Sequence, residues 1–266
     1  MRPVLAVAVL LSVAGGSFPQ SQQSGQTAPA LPDGGIRERL ISIFIPNMTN
    51  SPFTATVNTE WVRVLPDNSH ITLVNHRMIA RDSAGRIFQE RRLLVPQNGQ
   101  QESFVTQTEI RDPILRAEYI CIPGANTCQV EAKAPMPVAL PPPVPRPSGV
   151  QSPSPISAYP SEVTALGTQV IAGVETIGTR ETITIPAGAI GNDTPIVTKR
   201  EFWFSPKLGL DVVSLREDPR FGTQRFEMSD VVLGEPDAKL FSPPEGARII
   251  DYRTTTETKQ PPVSQP

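Results

Sequence analysis

The chain has 266 residues, enough for one large β domain or two small ones. Its net charge of −2 at pH 7 creates no overall field that would attract nucleic acid or an anionic membrane, and we expect no nucleic-acid partner. The 30 prolines exceed average usage and are unevenly placed, which indicates a folded domain that carries proline-rich linkers.

The N-terminus has the pattern of an export signal. Arg2 supplies a positive charge, residues 4–13 form an apolar run, and small residues suited to cleavage follow it. The run is too short to span a bilayer. We predict a signal peptide over residues 1–16 and a periplasmic or extracellular location, without a transmembrane anchor after cleavage and without a cysteine for lipid attachment. An uncleaved anchor is the alternative.

Residues 17–50 lead into the domain. Their first part is rich in Gln, Ser and Pro, which predicts a disordered tether. Residues 35–44 have apolar side chains at the spacing of a short helix, which Pro46 would end. An extended segment is equally compatible with these residues.

From residue 52 onward, apolar and polar residues alternate with the period of β-strands. Clusters of turn residues divide this region into an antiparallel meander. The predicted strands cover residues 53–65, 70–81, 87–95, 104–110, 117–122 and 128–133.

Cys121 and Cys128 are the two cysteines of the chain. An even number of cysteines in an exported protein indicates a disulfide, and Pro123, Gly124 and Asn126 between them favour a hairpin turn. We therefore predict a cross-strand disulfide. Two cysteines and distant histidines are too few ligands for a metal site, and we expect none.

Residues 134–160 contain ten prolines. Because proline donates no hydrogen bond to a sheet ladder, this stretch is predicted to be an extended or disordered linker outside the sheet interior. It could separate two domains or interrupt one. Interruption is favoured because neither half has enough apolar residues to close a core alone. This predicts a single β domain over residues 51–253.

Further strands are predicted after the linker, followed by a disordered tail at residues 254–266. They cover residues 163–172, 174–185, 196–205, 210–216, 224–232 and 247–252. The predicted fold class is mainly β with little helix: one large curved antiparallel sheet, a half-barrel, of about ten or eleven strands. A sandwich or a closed barrel would also cover a sheet of this size.

Residues 201–250 contain the most specific pattern: an aromatic strand, a turn with Gly-Leu, a turn with Asp and Gly, and a Pro-rich closure. The residues are Phe202-Trp203-Phe204, Leu208-Gly209-Leu210, Asp218-Pro219-Arg220-Phe221-Gly222, Pro236-Asp237 and Phe241-Ser242-Pro243-Pro244. This pattern resembles the C-terminal strands of the periplasmic lipoprotein-carrier superfamily, whose members sort lipoproteins and fold as half-barrels. Members usually have a substantial helix near the start and no proline-rich excursion, so the chain departs from the family there. Residues 52–55 and 185–193 are also similar to exported proteins of soil bacteria.

No catalytic, cofactor or metal site is predicted. His70 and His76 lie on one predicted strand about 20 Å apart, too far to serve one centre. The carboxylates are scattered, and the sequence contains no nucleophile elbow, phosphate-binding loop or dinucleotide fingerprint. These observations favour a protein that is not an enzyme.

Large apolar side chains are the candidates for ligand binding. On a curved sheet, alternate residues of one strand line the concave side and could hold an acyl chain. Packing in the core is the alternative role for the same side chains. The candidates are Trp61, Phe202, Trp203, Phe204, Phe226 and Met228.

The leading functional hypothesis is an exported, non-enzymatic protein of the cell envelope. It would bind a hydrophobic ligand, such as a lipid or a lipoprotein acyl chain, or a partner chain, on a curved β-sheet. The alternative is a structural or interaction scaffold of the periplasm without a ligand cavity. The sequence leaves the oligomeric state open.

Overall fold

The computed structural model describes Leu40 and residues 42–134, 152–153 and 159–253. Every described residue belongs to one compact unit, Arg39–Pro266. The predicted signal peptide, most of the tether, most of the proline-rich linker and the predicted tail lie outside the described residues.

The described residues before the linker form a meander of strands. They are β1 (Phe53–Val64), β2 (His70–Arg81), β3 (Ile87–Arg92), β4 (Val95–Pro96), β5 (Val105–Asp112), β6 (Ala117–Ile122) and β7 (Thr127–Ala132). Asn68 and Gly85 have positive φ in the turns that follow β1 and β2, a conformation that Asn and Gly tolerate. The third predicted strand is divided in two, because only Val95 and Pro96 resume pairing, with β2.

The described residues from 152 onward form the second set. They are β8 (Ser152–Pro153), β9 (Pro160–Ile171), β10 (Val174–Ile185), β11 (Ile196–Ser205), β12 (Leu210–Asp218), β13 (Gly222–Leu233) and β14 (Arg248–Asp251). Two 3-10 turns, Pro123–Ala125 and Ala238–Phe241, are the helical elements of the described residues.

All these strands join one large curved sheet, and the predicted strand count was too low. Thirteen strands follow one path, in the order β14-β7-β6-β5-β3-β2-β1-β13-β12-β11-β10-β9-β8, and β4 pairs beside it with β2. Two-residue strands such as β4 and β8 have no periodicity that a sequence pattern could reveal. Within the described residues the two ends of the path, β14 and β8, do not pair with each other, so the sheet is open.

The pairing of β1 with β13 joins the two sets of strands. Val57 lies opposite Met228, and Thr59 lies opposite Phe226. Directly opposite residues share a face of the sheet, so these side chains project to one side. Val57, Phe226 and Met228 belong to a core cluster of buried residues: Ile43, Ile45, Phe53, Ala55, Val57, Ile79, Ile87, Val174, Leu208, Leu210, Val212, Phe226 and Met228.

A second, smaller core lies on the opposite face. Ala80, Phe88 and Ile110 pack there against Phe241 of the second 3-10 turn. Ala80 is opposite Phe88 in the β2–β3 register and follows Ile79 of the first core, so the two clusters flank the same strand.

The predicted disulfide is confirmed. Cys121 of β6 lies directly opposite Cys128 of β7, and their sulfur atoms are bonded. Next to this hairpin, β14 pairs with β7 in parallel, while the other pairings of the described strands are antiparallel.

Candidate functional site

The apolar face of the central strands is filled by the chain's own segment 42–50, which precedes β1. Of the two conformations left open for residues 35–44, the described part, Leu40 and residues 42–44, is not helical. Ile43 and Ile45 are buried in the core cluster together with Phe226 and Met228, which are 3% and 1% exposed. Phe226 and Met228, two of the candidate ligand residues, therefore lie within the packed core.

Arg81 of β2 fastens this segment to the sheet. It is fully buried, and its guanidinium donates to the carbonyl of Pro46 at 3.1 Å and to the carbonyl of Leu208 at 2.6 Å. It also donates to the carbonyl and the hydroxyl of Ser51 at 3.0 and 2.9 Å. Burial lowers the pKa of Arg81 to about 10. Every acceptor is neutral, so the arginine links three backbone segments rather than balancing a carboxylate.

The three aromatic residues of β11 are divided between the faces of the sheet. Phe202 is half-buried opposite Thr179 and Ser214, whereas Phe204 is buried opposite Ile177. Trp203 projects to the other side, as strand alternation predicts.

The ring of Trp203 lies flat on Gly178 of β10. A Cβ atom at Gly178 would come within 2.6 Å of the ring. The Trp203 indole N–H donates to Glu201 at 2.9 Å, and Arg180 donates to the same carboxylate at 2.7 Å. Burial alone would raise the pKa of Glu201, but these hydrogen bonds keep it below its ordinary value. Trp203 is therefore held in a polar surface cluster, away from the apolar core.

The remaining candidate, Trp61, lies beside a cleft of about 710 Å³ at the β12–β13 turn. Its indole N–H donates to the Phe221 carbonyl at 2.9 Å, and the guanidinium of Arg63 lies over its ring at 4.9 Å from the ring centre. Arg63 and Phe221 both line the cleft. The other lining residues are Val64, Leu65, Val197, Lys199, Glu217, Asp218, Pro219, Arg220, Gly222 and Thr223.

Two arginines organise the turn that forms one wall of the cleft. Arg220 donates to the Asp218 carboxylate at 2.9 and 2.7 Å, and Arg216 approaches it at 3.4 Å. Both guanidinium groups also lie near the Phe221 ring, at 5.0 and 5.9 Å. Burial acts to raise the pKa of Asp218, but the hydrogen bonds and charges of these arginines keep it below its ordinary value.

The cleft has mixed chemistry. Asp218 is fully engaged by its arginines, and Lys199 lies 3.7 Å from Glu217. Arg63 is exposed and forms no ion pair with any described residue. Val64 is 60% exposed, and Val197 is also exposed. The cleft can therefore offer a guanidinium, an aromatic ring and aliphatic side chains to one ligand.

Residues 218–222 belong to the pattern that resembles the lipoprotein-carrier superfamily, and no feature of the sequence predicted that they form a cleft wall. The Asp-Pro-Arg-Phe-Gly run is typical of a turn. In the structure, Gly222 has a positive φ and Asp218 accepts the backbone N–H of Arg220. That this turn lies beside the end of β1 depends on the β1–β13 pairing, which joins residues more than 150 positions apart.

Among the described residues, no group of three or more His, Cys, Asp or Glu side chains is arranged to hold a metal ion. His70 and His76 lie opposite Val64 and Asn58 in the β1–β2 register. In the same part of the chain, no helix has the length and apolar character needed to cross a membrane.

No family model and no curated protein matches the sequence. Solved structures resemble it distantly. A structure of the MucA/MucB complex from Pseudomonas aeruginosa has a TM-score of 0.37 and 16% identity, with 73% of this chain and 56% of that chain covered. LprF from Mycobacterium bovis has a TM-score of 0.30 and 11% identity, with coverage of 74% and 90%. A LolA superfamily protein from Nitrosomonas europaea has a TM-score of 0.26 and 10% identity, with coverage of 74% and 91%.

The chain spans less than two thirds of the matched MucB structures. Lipoprotein-sorting and LolA superfamily proteins are among the structures that it resembles. This likeness concerns the fold. Kinship with exported proteins of soil bacteria stays a prediction.

Proposed function

We propose that this chain is an exported, non-enzymatic binding protein of the cell envelope, and that it binds a segment of a partner polypeptide in the cleft beside the β12–β13 turn. The observation that carries the proposal is that Arg63 and Phe221 line this cleft and that both contact Trp61, which lies beside it. Trp61 is fixed by its hydrogen bond to Phe221, and stacking on its ring holds the Arg63 guanidinium in place, which lowers the entropic cost of a contact with a ligand.

The packing of the core favours a polypeptide over an acyl chain. A lipid would need an apolar cavity, and the apolar face of the central strands is occupied by Ile43 and Ile45 of the same chain. Removing these two side chains from the core would cost about 2–3 kcal/mol each, a penalty that a ligand entering there would have to overcome.

The charge of the cleft indicates the chemistry of the partner. Arg63 is an exposed cation without an ion pair among the described residues, Lys199 is exposed and lies 3.7 Å from Glu217, and Asp218 is neutralised by Arg216 and Arg220. A segment that combines acidic side chains with aliphatic ones would pair with these cations and cover Val64 and Val197.

Fluorescence titration tests this proposal, because the chain has two tryptophans and one of them lies at the cleft. A soluble peptide of alternating Glu and Leu should change the emission, and a peptide of alternating Lys and Leu should not. The change should persist in Trp203→Phe and disappear in Trp61→Phe. Loss of one charge-assisted contact in Arg63→Gln should weaken binding about tenfold, while Lys207→Gln, an exposed lysine outside the cleft, serves as the matched control.

Two results would contradict the proposal. One is equal binding of the acidic and basic peptides, which would show that the cations make no contribution. The other is a protein that binds oleate with release of residues 42–50 and does not bind the acidic peptide, which would favour a lipid carrier.

A further inference from the structure

A second, smaller pocket adjoins the cleft at the β12–β13 turn. It has a volume of about 160 Å³ and is lined by Arg180, Lys199, Glu201, Leu215 and Glu217. Lys199 and Glu217 also line the cleft. The two cavities therefore share a boundary, and the second one is called the β10–β12 pocket below.

The strand register places this boundary and the β10–β12 pocket on one face of the sheet. Lys199 lies opposite Glu217, and Glu201 lies opposite both Arg180 and Leu215. Directly opposite residues share a face of a sheet, as do residues two positions apart on one strand. A ligand in the cleft can therefore continue over Lys199 and Glu217 into the pocket without leaving this face.

Arg180 is the group in the pocket that can bind an acidic ligand. Its Nε and Nη2 atoms donate to Glu201, and its Nη1 atom contacts no acceptor among the described residues. Because a guanidinium has donors on all three nitrogens, Arg180 can bind a second carboxylate while it keeps Glu201. Lys199 is exposed, and its distance of 3.7 Å from Glu217 is longer than a hydrogen bond, so it can contact the same ligand.

We propose that the partner segment continues from the cleft into the β10–β12 pocket as an extended chain, with one acidic side chain at Arg63 and a second at Arg180. This inference rests on the proposed function, since the cleft is where the segment begins. Aliphatic side chains between the two acidic ones would cover the exposed Val197 and the half-buried Leu215.

The register sets the spacing of the two acidic side chains. One row of directly opposite residues crosses five strands, from β1 to β10: Val62, Thr223, Glu217, Lys199 and Thr182. Arg63 follows Val62, and Arg180 lies two positions before Thr182, toward the other end of the strands. Four strand spacings and about three residues along the strands separate Arg63 from Arg180 by about 20 Å, which about six residues of extended chain would span.

Two soluble peptides of the same composition test this spacing. One has the order Glu-Leu-Ser-Leu-Ser-Leu-Glu, with blocked termini and a carboxylate at each end. The other has the order Glu-Glu-Leu-Ser-Leu-Ser-Leu, with its carboxylates side by side. Both can place a carboxylate at Arg63, but only the first can place another at Arg180, so the first should bind about tenfold more tightly. Fluorescence anisotropy of each labelled peptide measures its affinity.

Single variants assign the preference to Arg180. Arg180→Gln should weaken the first peptide about tenfold and bring its affinity to that of the second, whereas Arg63→Gln should weaken both peptides. Arg200→Gln is the matched control, because Arg200 lies between Lys199 and Glu201 on the opposite face of β11 and lines neither cavity. The preference for the first peptide should persist in Arg200→Gln, and circular dichroism establishes that each variant is folded.

The outcomes separate this inference from the proposed function. Equal affinities of the two peptides for the wild-type chain, with both weakened by Arg63→Gln, would overturn the extension into the pocket and leave the proposed function standing. Failure of both peptides to bind would overturn the extension and the proposed function together. A preference that survives in Arg180→Gln, or one that is lost in Arg200→Gln, would overturn the assignment of the second acidic side chain to Arg180.

Discussion

Arg81 is the residue whose replacement tests the packing of the core most sharply. The perturbation is Arg81→Met, which keeps much of the side-chain volume and removes the guanidinium. Four hydrogen bonds would be lost, to Pro46, to Leu208 and to two atoms of Ser51. At about 1.5 kcal/mol for each bond to a charged donor, the loss is about 6 kcal/mol.

An opposing contribution comes from the cost of burying the charge. The pKa of Arg81 falls from 12.5 to about 10 because of burial, and a shift of this size corresponds to about 3 kcal/mol that the charged side chain costs the folded state. Arg81→Met removes this cost together with the bonds. The expected loss in the free energy of unfolding is therefore about 3 kcal/mol.

Urea unfolding at pH 7, followed by tryptophan fluorescence, measures this loss. Limited proteolysis gives a local readout, since cleavage within residues 42–50 should become faster when Pro46 loses its hydrogen bond to Arg81. Arg248→Met is the matched control, because Arg248 is exposed on β14, and it should change stability by less than about 0.5 kcal/mol. An Arg81→Met protein as stable as wild type, or one destabilised without faster cleavage of residues 42–50, would refute the assignment of Arg81 as the fastening of this segment.

Three further predictions concern single positions. Burial raises the pKa of Asp211 from 3.8 to about 6. The folded state therefore binds the proton of the Asp211 carboxyl more tightly than the unfolded state does. The contribution of this proton to folding stability is complete below about pH 4 and is lost as the pH rises through 6. Asp211→Asn should therefore raise stability at pH 7 by about 1–3 kcal/mol and flatten the urea-midpoint profile between pH 4 and 7; a wild-type profile that is already flat would contradict this. Gly178→Ala should displace the Trp203 ring and lower the free energy of unfolding by about 1–3 kcal/mol. Thermal unfolding and the near-ultraviolet circular dichroism of tryptophan measure this effect. Gly124→Ala is the control, because its Cβ would meet no atom within 4 Å and stability should not change. Cys121→Ser with Cys128→Ser should cost about 2–3 kcal/mol because the loop is short, and equal urea midpoints of the reduced and oxidised wild type would argue against it.

Much of the secondary structure followed from local patterns. The bounds predicted for β2, β10 and β11 agree with the structure, because alternation and the glycine and proline residues that end it are properties of neighbouring residues. The disulfide was predictable for a similar reason. Cys121 and Cys128 are separated by seven positions in sequence, and the turn residues between them form a hairpin that brings the two cysteines opposite each other.

Trp61 and Phe226 show where local patterns are insufficient. Both were predicted from their aromatic character to be ligand-binding candidates, yet Phe226 is packed beneath residues 42–50 and Trp61 lies at the cleft. The difference arises from which residues cover each position of the sheet. Periodicity places a side chain on a face of its strand and does not say what packs against that face.

The composition and periodicity of this chain therefore establish a β protein with a hairpin disulfide and alternating strands. The tertiary structure decides that β1 pairs with β13, that Arg81 is buried against three carbonyl groups, and that β9 is left at an open edge. The physical reason is that these features depend on contacts between residues distant in the chain. Such contacts form when the whole sheet buries its core. A short segment of sequence does not include both partners of these contacts, so it cannot determine which pairing is the most stable.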